Sequence, residues 1–401
     1  MTRSDSTVSQ RLDVLFRIGG ETGANRPGLS DREDDAHRLV RDWMDDAGLE
    51  TDVDSVGNLY GRLIGTEPAL PEVWCGSHLD SVPNGGRFDG ALGVVAGLAA
   101  ITGLRPQRRT ITIVAFRDEE GWRFGGGFFG SRGVVGALTD DDYARVDSAG
   151  VTIREALMAT GRELIASAGW LVRPPGFYLE AHIEQGPALA ELAAPVGVVT
   201  AIVGIVEMVV TIDGREGHAG TTPMDLRQDA GLCAATFQVK AATVARAIPG
   251  AVVTFGTATQ LEPGAGNVIA RRAVLSLDAR APDQLRLDQL VQGLRSAANQ
   301  SALTCGCVVS AKVETYIAPI VCADLILEAL QRAAPGSPQL PSGAGHDAQI
   351  LAGAGVPVGM LFVRSRNDGI SHSPREHSDA EDIEACVAVL TRALVDLASL
   401  S

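Results

Sequence analysis

Apolar runs of strand length alternate with helical patterns through the first half of the chain. The strand-like runs include "PEVWCGSHLD", "TITIVAF" and "GFYLEAHIEQG", and "GALGVVAGLAAI" reads as a helix between the first two. That alternation predicts an α/β domain with a largely parallel sheet. Near Val198 the texture changes. "VEMVVTIDGREGH" alternates with period two, as a half-exposed strand does, and an Ala-rich helix is predicted from Asp229 to Ala247. The strands "AVVTFGTATQL" and "RRAVLSLDARAP", a helix from Gln284 to Gln300 and a strand near "CVVSAKVETY" follow. Strand-helix-strand-strand-helix-strand with polar alternates describes an α+β sandwich covered on one face. After Ala318 the α/β texture returns, with a helix over Leu325 to Ala333, the strand "VPVGMLFV" and a final helix from Ala380 to Leu397. The expected fold is α/β. Residues 1–204 and 318–401 form one discontinuous domain, a mixed, largely parallel sheet flanked by helices, and 205–317 form the inserted α+β sandwich.

A chain of 401 residues, 45% hydrophobic and 21% charged, is long enough for two cores and has a globular composition. Its formal net charge of −15 argues against a nucleic-acid partner, whose phosphates demand Lys and Arg, and against an anionic membrane surface. An anionic substrate would have to be met by locally placed arginines. The opening "MTRSDSTVSQRLDVLFRIGG" has no apolar core of signal-peptide length and runs into an amphipathic helix pattern. No later stretch approaches the roughly 20 apolar residues of a membrane span. The six cysteines are scattered in apolar contexts and read as reduced core residues, so the expected location is cytoplasmic.

In open α/β sheets, ligands bind beyond the carboxyl ends of the strands. Four strand-like runs end in metal-binding chemistry: Ser77-His78-Leu79-Asp80, Asp118-Glu119-Glu120, Glu180-Ala181-His182 and, further on, Ser371-His372-Ser373. His78 and Asp80 are two apart, so in extended backbone they point the same way. One can coordinate a cation while the other takes the second ring nitrogen and fixes the tautomer. Asp89, in the Gly-rich "NGGRFDGALG", reads either as a helix cap or as a carboxylate bridging two cations. Glu119 and Glu120, if extended, face opposite ways. One of them can bind a cation and the other can act as a general base on its water. Nearby cations would remove the repulsion within the acidic pair.

"GGGFFG" is a literal G-x-G-x-x-G after a strand, with acids at Asp140 to Asp142 about twenty residues on. Three carboxylates immediately before it would repel a pyrophosphate, and "LTDDDYA" reads as a helix start rather than a strand end. A dinucleotide site is therefore not expected.

The motifs "GSHLDSVPNGGRFDGALGV", "DEEGWRFGGGFFGSR", "YLEAHIEQGP", "GREGHAGTTPM", "SGAGHDAQ" and "GISHSPREHSDAED" resemble, in order, those of the metal-dependent amidase/hydantoinase/carbamoylase family, within the zinc aminoacylase and carboxypeptidase superfamily. The resemblance runs from about Arg11 to the C-terminus. It implies two divalent ions per subunit, Zn2+ first, with Mn2+, Co2+ or Ni2+ accepted by the same donors. One ion would take His78, Asp89 and His182, and the other Asp89, Glu120 and His372. Glu119 would be the base, and Asp80 would belong to the catalytic set. His182 stands where the peptidase branches carry a carboxylate. The inserted domain would be a lid that also forms a homodimer. From it His218 would polarise the scissile carbonyl or stabilise the oxyanion, and Asn267 and Arg280 would hold a substrate carboxylate. The bland alternatives are a turn residue for His218 and a surface ion pair with Asp278 for Arg280. Gln185 and His346 are further substrate-binding candidates, although the turns "EQGP" and "GAGHD" can equally serve to shape the backbone. Trp122 stands where relatives more often carry a small residue, and a large ring there would reshape the substrate pocket.

The reaction so implied is hydrolysis of the ureido C–N bond of an N-carbamoyl-L-amino acid, giving the amino acid, carbon dioxide and ammonia. Allantoate amidohydrolysis is the nearest alternative, and an aminoacylase- or dipeptidase-type cleavage is a more distant one. The expected partner is a small ureido or amide substrate bearing a carboxylate.

Overall fold

The structure, a computed structural model, describes residues 7–20, 22–161 and 169–400; the first six residues of the amphipathic N-terminal segment lie outside them. The chain divides into two compact units, Met1–Thr200 with Val321–Ser401, and Ala201–Ile320.

The sheet of the first unit centres on four neighbouring parallel strands, Ile111–Phe116, Val73–His78, Phe177–Ile183 and Val358–Val363. Almost every residue in them is buried. Parallel strands are covered on both faces, which is why these segments read as unbroken apolar runs. Antiparallel strands flank them: Leu59–Leu63 beside Ile111–Phe116, and Val196–Ile202 beside Val358–Val363. The helix Ala91–Ile101, apolar on nearly all sides, packs against Val73–His78 and against the C-terminal helix Ala380–Ala398. Leu92, Val95, Leu98, Ile113, Leu179, Leu361, Leu390 and Leu394 belong to the resulting core.

In the second unit Gly204–Asp213 lies between Arg272–Ala281 and Val308–Ile317, all antiparallel. Burial along Arg272–Ala281 alternates strictly, as its sequence predicts for a sheet with one covered face. The helices Ala230–Ala247 and Gln284–Cys305 pack on each other and on this sheet. Asp229 caps the first by accepting from the amides of Gly231 and Leu232. The second runs past the expected end at Gln300, because nothing in "SALTC" breaks it until Gly306 adopts φ +64°. The single strand expected from "AVVTFGTATQL" is instead two short ones, Val252–Thr254 and Gln260–Glu262. Both pair with Arg272–Ala281, and Gly256 lies in the break.

Phe237 is among the largest fully buried side chains and meets Phe255 edge-on at 5.7 Å. Phe237→Ala is expected to destabilise this unit by about 3–5 kcal/mol, read by urea unfolding; a loss under about 1 kcal/mol would show the ring to be dispensable to the core.

Candidate metal centre

The four parallel strands place their chemistry at one end. His78 is the last residue of its strand and lies in register with Phe116, after which the chain leads to Glu119 and Glu120. His182 lies in register with Phe362. His372 is reached by the loop that follows Val363, where it adopts φ +53°. Asp89 precedes the helix Ala91–Ile101 but does not cap it. Gly90 is the capping residue, with φ +61° and no side-chain cap bond. A Cβ on Gly90 would stand 2.4 Å from the His78 ring, so glycine here is what lets the Asp89 loop close over the histidine.

Asp89 has a different set of neighbours at each carboxylate oxygen. Oδ1 lies 3.2 Å from His182 Nε2 and 3.8 Å from His78 Nε2, while Oδ2 lies 3.3 Å from His372 Nε2. Glu120 Oε2 is 3.4 Å from the same His372 nitrogen. Donor atoms of His78, Asp89 and His182 form one group within 4.8 Å, and those of Asp89, Glu120 and His372 form another. Ligands about 2 Å from a tetrahedral ion sit about 3.3 Å from each other, so the shorter of these spacings match a coordination shell. Glu120 Oε1 is buried and accepts no hydrogen bond, which leaves a lone pair for a cation. The residues fit two divalent ions sharing Asp89.

Glu119 and Glu120 do not sit in extended backbone, as the sequence reading supposed. The strand ends at Phe116 and Asp118 takes φ +49°. The two carboxylates still diverge, Glu120 towards His372 and Glu119 Oε2 to 3.7 Å from His78 Nε2. Asp80 lies behind this arrangement. Its Oδ1 is 3.2 Å from His78 Nδ1, and its two oxygens accept the amides of Glu119 and Glu120 at 3.0 and 3.1 Å. Such a partner turns the other ring nitrogen of His78 towards the ligand position. His182 Nδ1 is 3.0 Å from the Ile183 carbonyl, which does the same for its Nε2.

Burial pushes the Glu119 carboxyl well above its usual range; His78 opposes this, and Asp347, Glu120 and Asp80 reinforce it. Burial, with Asp89 next, raises Glu120 to about 7 against the pull of His372 and His78. For Asp89 burial works the other way from the net result: hydrogen bonds to His182 and His372 outweigh it and hold the group well below the usual carboxylate range. His78 is discouraged from charging by burial, yet Glu119 and Asp80 carry it well above an ordinary imidazole. The pocket's own groups are thus short of positive charge, as a cation site requires.

The remaining candidates fall in different places. Gln185 Nε2 donates to Asp89 Oδ2 at 3.0 Å and to Ser371 Oγ at 2.9 Å, against the carboxylate common to both donor groups. His346 is buried. Its ring stands edge-on to His182 with centroids 4.6 Å apart, and its Nε2 is 2.8 Å from Ser342 Oγ. His218, Asn267 and Arg280 belong to the second unit. His218 and Asn267 adjoin on a two-stranded ribbon where Val268 pairs with His218. His218 Nδ1 accepts the amides of Gly220 and Thr221, so the turn reading holds for that nitrogen. Arg280 forks onto Asp278 through Nε and Nη2, the ion pair weighed as its bland alternative. Trp122 is 56% exposed, two residues beyond Glu120. The aspartates after "GGGFFG" lie in a short helix capped by Thr139, not at a strand end.

Sequence reasoning named Ser371 only as the neighbour of His372, without a role, and did not single out Glu376. Ser371 Oγ lies 3.0 Å from both Asp89 Oδ2 and Glu376 Oε2, and Glu376 Oε1 accepts the amides of Phe88 and Asp89. The signal was the "GG" of "NGGRFDG", because a Cβ on Gly86 would lie 2.2 Å from the Glu376 carboxylate. Glycine is required there, but nothing in the sequence says which side chain needs the space.

A profile of Peptidase family M20/M25/M40 matches residues 74–396. The N-carbamoyl-L-amino-acid amidohydrolase of Pseudomonas sp. (strain NS671) is 36% identical over 98% of this chain and 99% of its own. The allantoate amidohydrolase of Bacillus subtilis (strain 168) is 35% identical over 98% of both. The crystal structure of a hydantoinase/carbamoylase family amidase from Burkholderia multivorans superposes with a TM-score of 0.84 at 33% identity, covering 98% of this chain and 97% of that one. With both donor groups assembled at the ends of its parallel strands, the chain belongs to Peptidase family M20/M25/M40, the metal-dependent hydrolases of C–N bonds, on its amidohydrolase side.

Proposed function

We propose that the protein hydrolyses the ureido C–N bond of an N-carbamoyl-L-amino acid. The observation that carries this reading is the two-sided Asp89, with a histidine group on each oxygen and Glu119 beside them. Relatives named as N-carbamoyl-L-amino-acid amidohydrolases, at 36% and 38% identity, support the substrate class. Divalent cations held by His78, Asp89 and His182 and by Asp89, Glu120 and His372 would polarise the ureido carbonyl and acidify water. Glu119 takes the proton from the water as its oxygen bonds to the carbonyl carbon, then passes that proton to the leaving nitrogen as the C–N bond breaks. Its carboxylate, 3.7 Å from His78 Nε2 and beside both donor groups, is placed for both halves of this task. The carbamate released breaks down to carbon dioxide and ammonia. Asp80 keeps the His78 ring in one orientation throughout, and Gln185 and Ser371 hold Asp89.

His218 is assigned to the developing oxyanion, and Asn267 with Arg280 to the substrate carboxylate. For Arg280 this requires exchanging one Asp278 contact for the substrate. The second unit is assigned as a lid and a homodimer contact. Leu232 and Val239, exposed a heptad apart on one helix, support the dimer. Six free cysteines, four of them buried, support the cytoplasm as its location, because a reducing compartment keeps thiols unpaired. Allantoate is the second reading, favoured by the 35% identical amidohydrolase of Bacillus subtilis. A panel of N-carbamoyl amino acids, allantoate and a dipeptide, read by ammonia and amino-acid release, distinguishes these. Ammonia released from allantoate alone would reject the first reading.

Glu119→Gln, with cations retained, is expected to lower kcat by about 100-fold or more; wild-type turnover would remove its assignment as base. In the protein stripped by a chelator, Glu120 and Glu376 are both raised from 4.5 to about 7. The native state then holds protons that the unfolded chain releases, so their contribution is complete below about pH 4.5 and is lost as pH rises through about 7. Cations favour the ionised forms and reverse this. The gain in Tm on adding Zn2+ or Mn2+ should therefore grow from about pH 5 to pH 8. A gain independent of pH would argue against carboxylate ligands.

A further inference from the structure

Beyond Phe116 the backbone leaves the sheet ladder, and its amides need other acceptors. Four in succession are received by buried side chains. Arg117 N donates to Asn58 Oδ1 at 3.0 Å and Asp118 N to Glu33 Oε1 at 3.0 Å, while Asp80 takes Glu119 and Glu120. Glu33 comes from the helix Asp31–Asp46, outside the residues matched by the family profile.

Glu33 sits three residues after the cap Ser30, where an acid ordinarily serves its own helix end in solvent. Here it is fully buried. Its Oε2 accepts the Leu29 amide at 2.6 Å and lies 3.1 Å from Nε of Arg117, itself fully buried. Arg117 also pairs with Asp34. Both oxygens of Glu33 therefore face donors, one of them the amide immediately before the Glu119–Glu120 pair. Burying an acid and a guanidinium is costly, and a helix end needs neither.

We propose that Glu33 is a positioning residue of the hydrolytic centre: through the Asp118 amide and Arg117 it sets where Glu119 and Glu120 stand. This rests on the roles assigned above to those two residues. In Glu33→Gln an amide nitrogen must face either the Asp118 N–H or the Leu29 N–H and Arg117, donor against donor, so the turn carrying the pair should shift. The control is Asp34→Asn, which removes the other carboxylate of Arg117 but no bond to Asp118.

The test is titration of the stripped proteins with Zn2+ or Mn2+, alongside Tm, kcat and KM. Glu33→Gln is expected to bind cation about 10-fold or more weakly, with lowered kcat and unchanged KM. Asp34→Asn should lose Tm while keeping wild-type cation affinity. The proposal is overturned if both variants lose Tm alike and Glu33→Gln keeps wild-type affinity and kcat. Should Glu33→Gln fail to fold, Glu33→Asp is read in the same way. It retains the charge opposite Arg117 but is too short to reach both Asp118 and Leu29, and wild-type cation affinity in it overturns the proposal. If the wild type turns over none of the panel substrates, the functional reading fails while the cation titration still decides the role of Glu33.

Discussion

Asp80, Asp89, Glu119 and Glu120 are held together with little exposure to solvent, beyond the ends of the central strands of an apolar sheet. Four carboxylates in such a place repel one another, and each must be met by a donor or a cation. The structure meets them unequally. Asp80 is occupied by two backbone amides and a ring nitrogen, whereas Asp89 keeps its oxygens towards three histidines and Glu120 leaves one oxygen without a donor. The rest of the site follows from that division: Asp80 is engaged by backbone and ring, while Asp89 and Glu120 turn oxygens towards histidines that could share a metal with them.

The sheet makes this arrangement rigid where it matters. His78 and His182 sit on central strands buried along their length, so their backbones have little freedom. Glu119, Glu120 and His372 lie on connections, and there side-chain acceptors replace the ladder. Asp80 and Glu33 hold the acidic turn, while Gln185, Ser371 and Glu376 brace Asp89 from the other side. Candidate ligands carried on loops, as Glu120 and His372 are, need such support if a metal is to find its shell already formed.

The second unit has a different character. Its sheet is covered on one face only, its alternation is visible in every long strand, and its candidate substrate residues are exposed or engaged in local pairs. Nothing there resembles the dense charge of the first unit.

Much of this was legible in the residues themselves. The unbroken apolar runs marked the central parallel strands, and the polar residues after each marked the face where chemistry collects, because both follow from local pattern and from the geometry of α/β sheets. Asp118, Glu119 and Glu120 were identified, yet the turn that separates them was not. A φ of +49° at an aspartate is imposed by Glu33, Asp80 and the close approach of Gly28, all distant in sequence. The same holds for Glu376 behind Asp89, and for His346, buried against His182 rather than open to solvent. Which side chains could bind metal was set by their chemistry. Which of them also hold the backbone was decided only when the folded chain brought specific amides within reach of specific oxygens, and periodicity in a sequence carries no record of that.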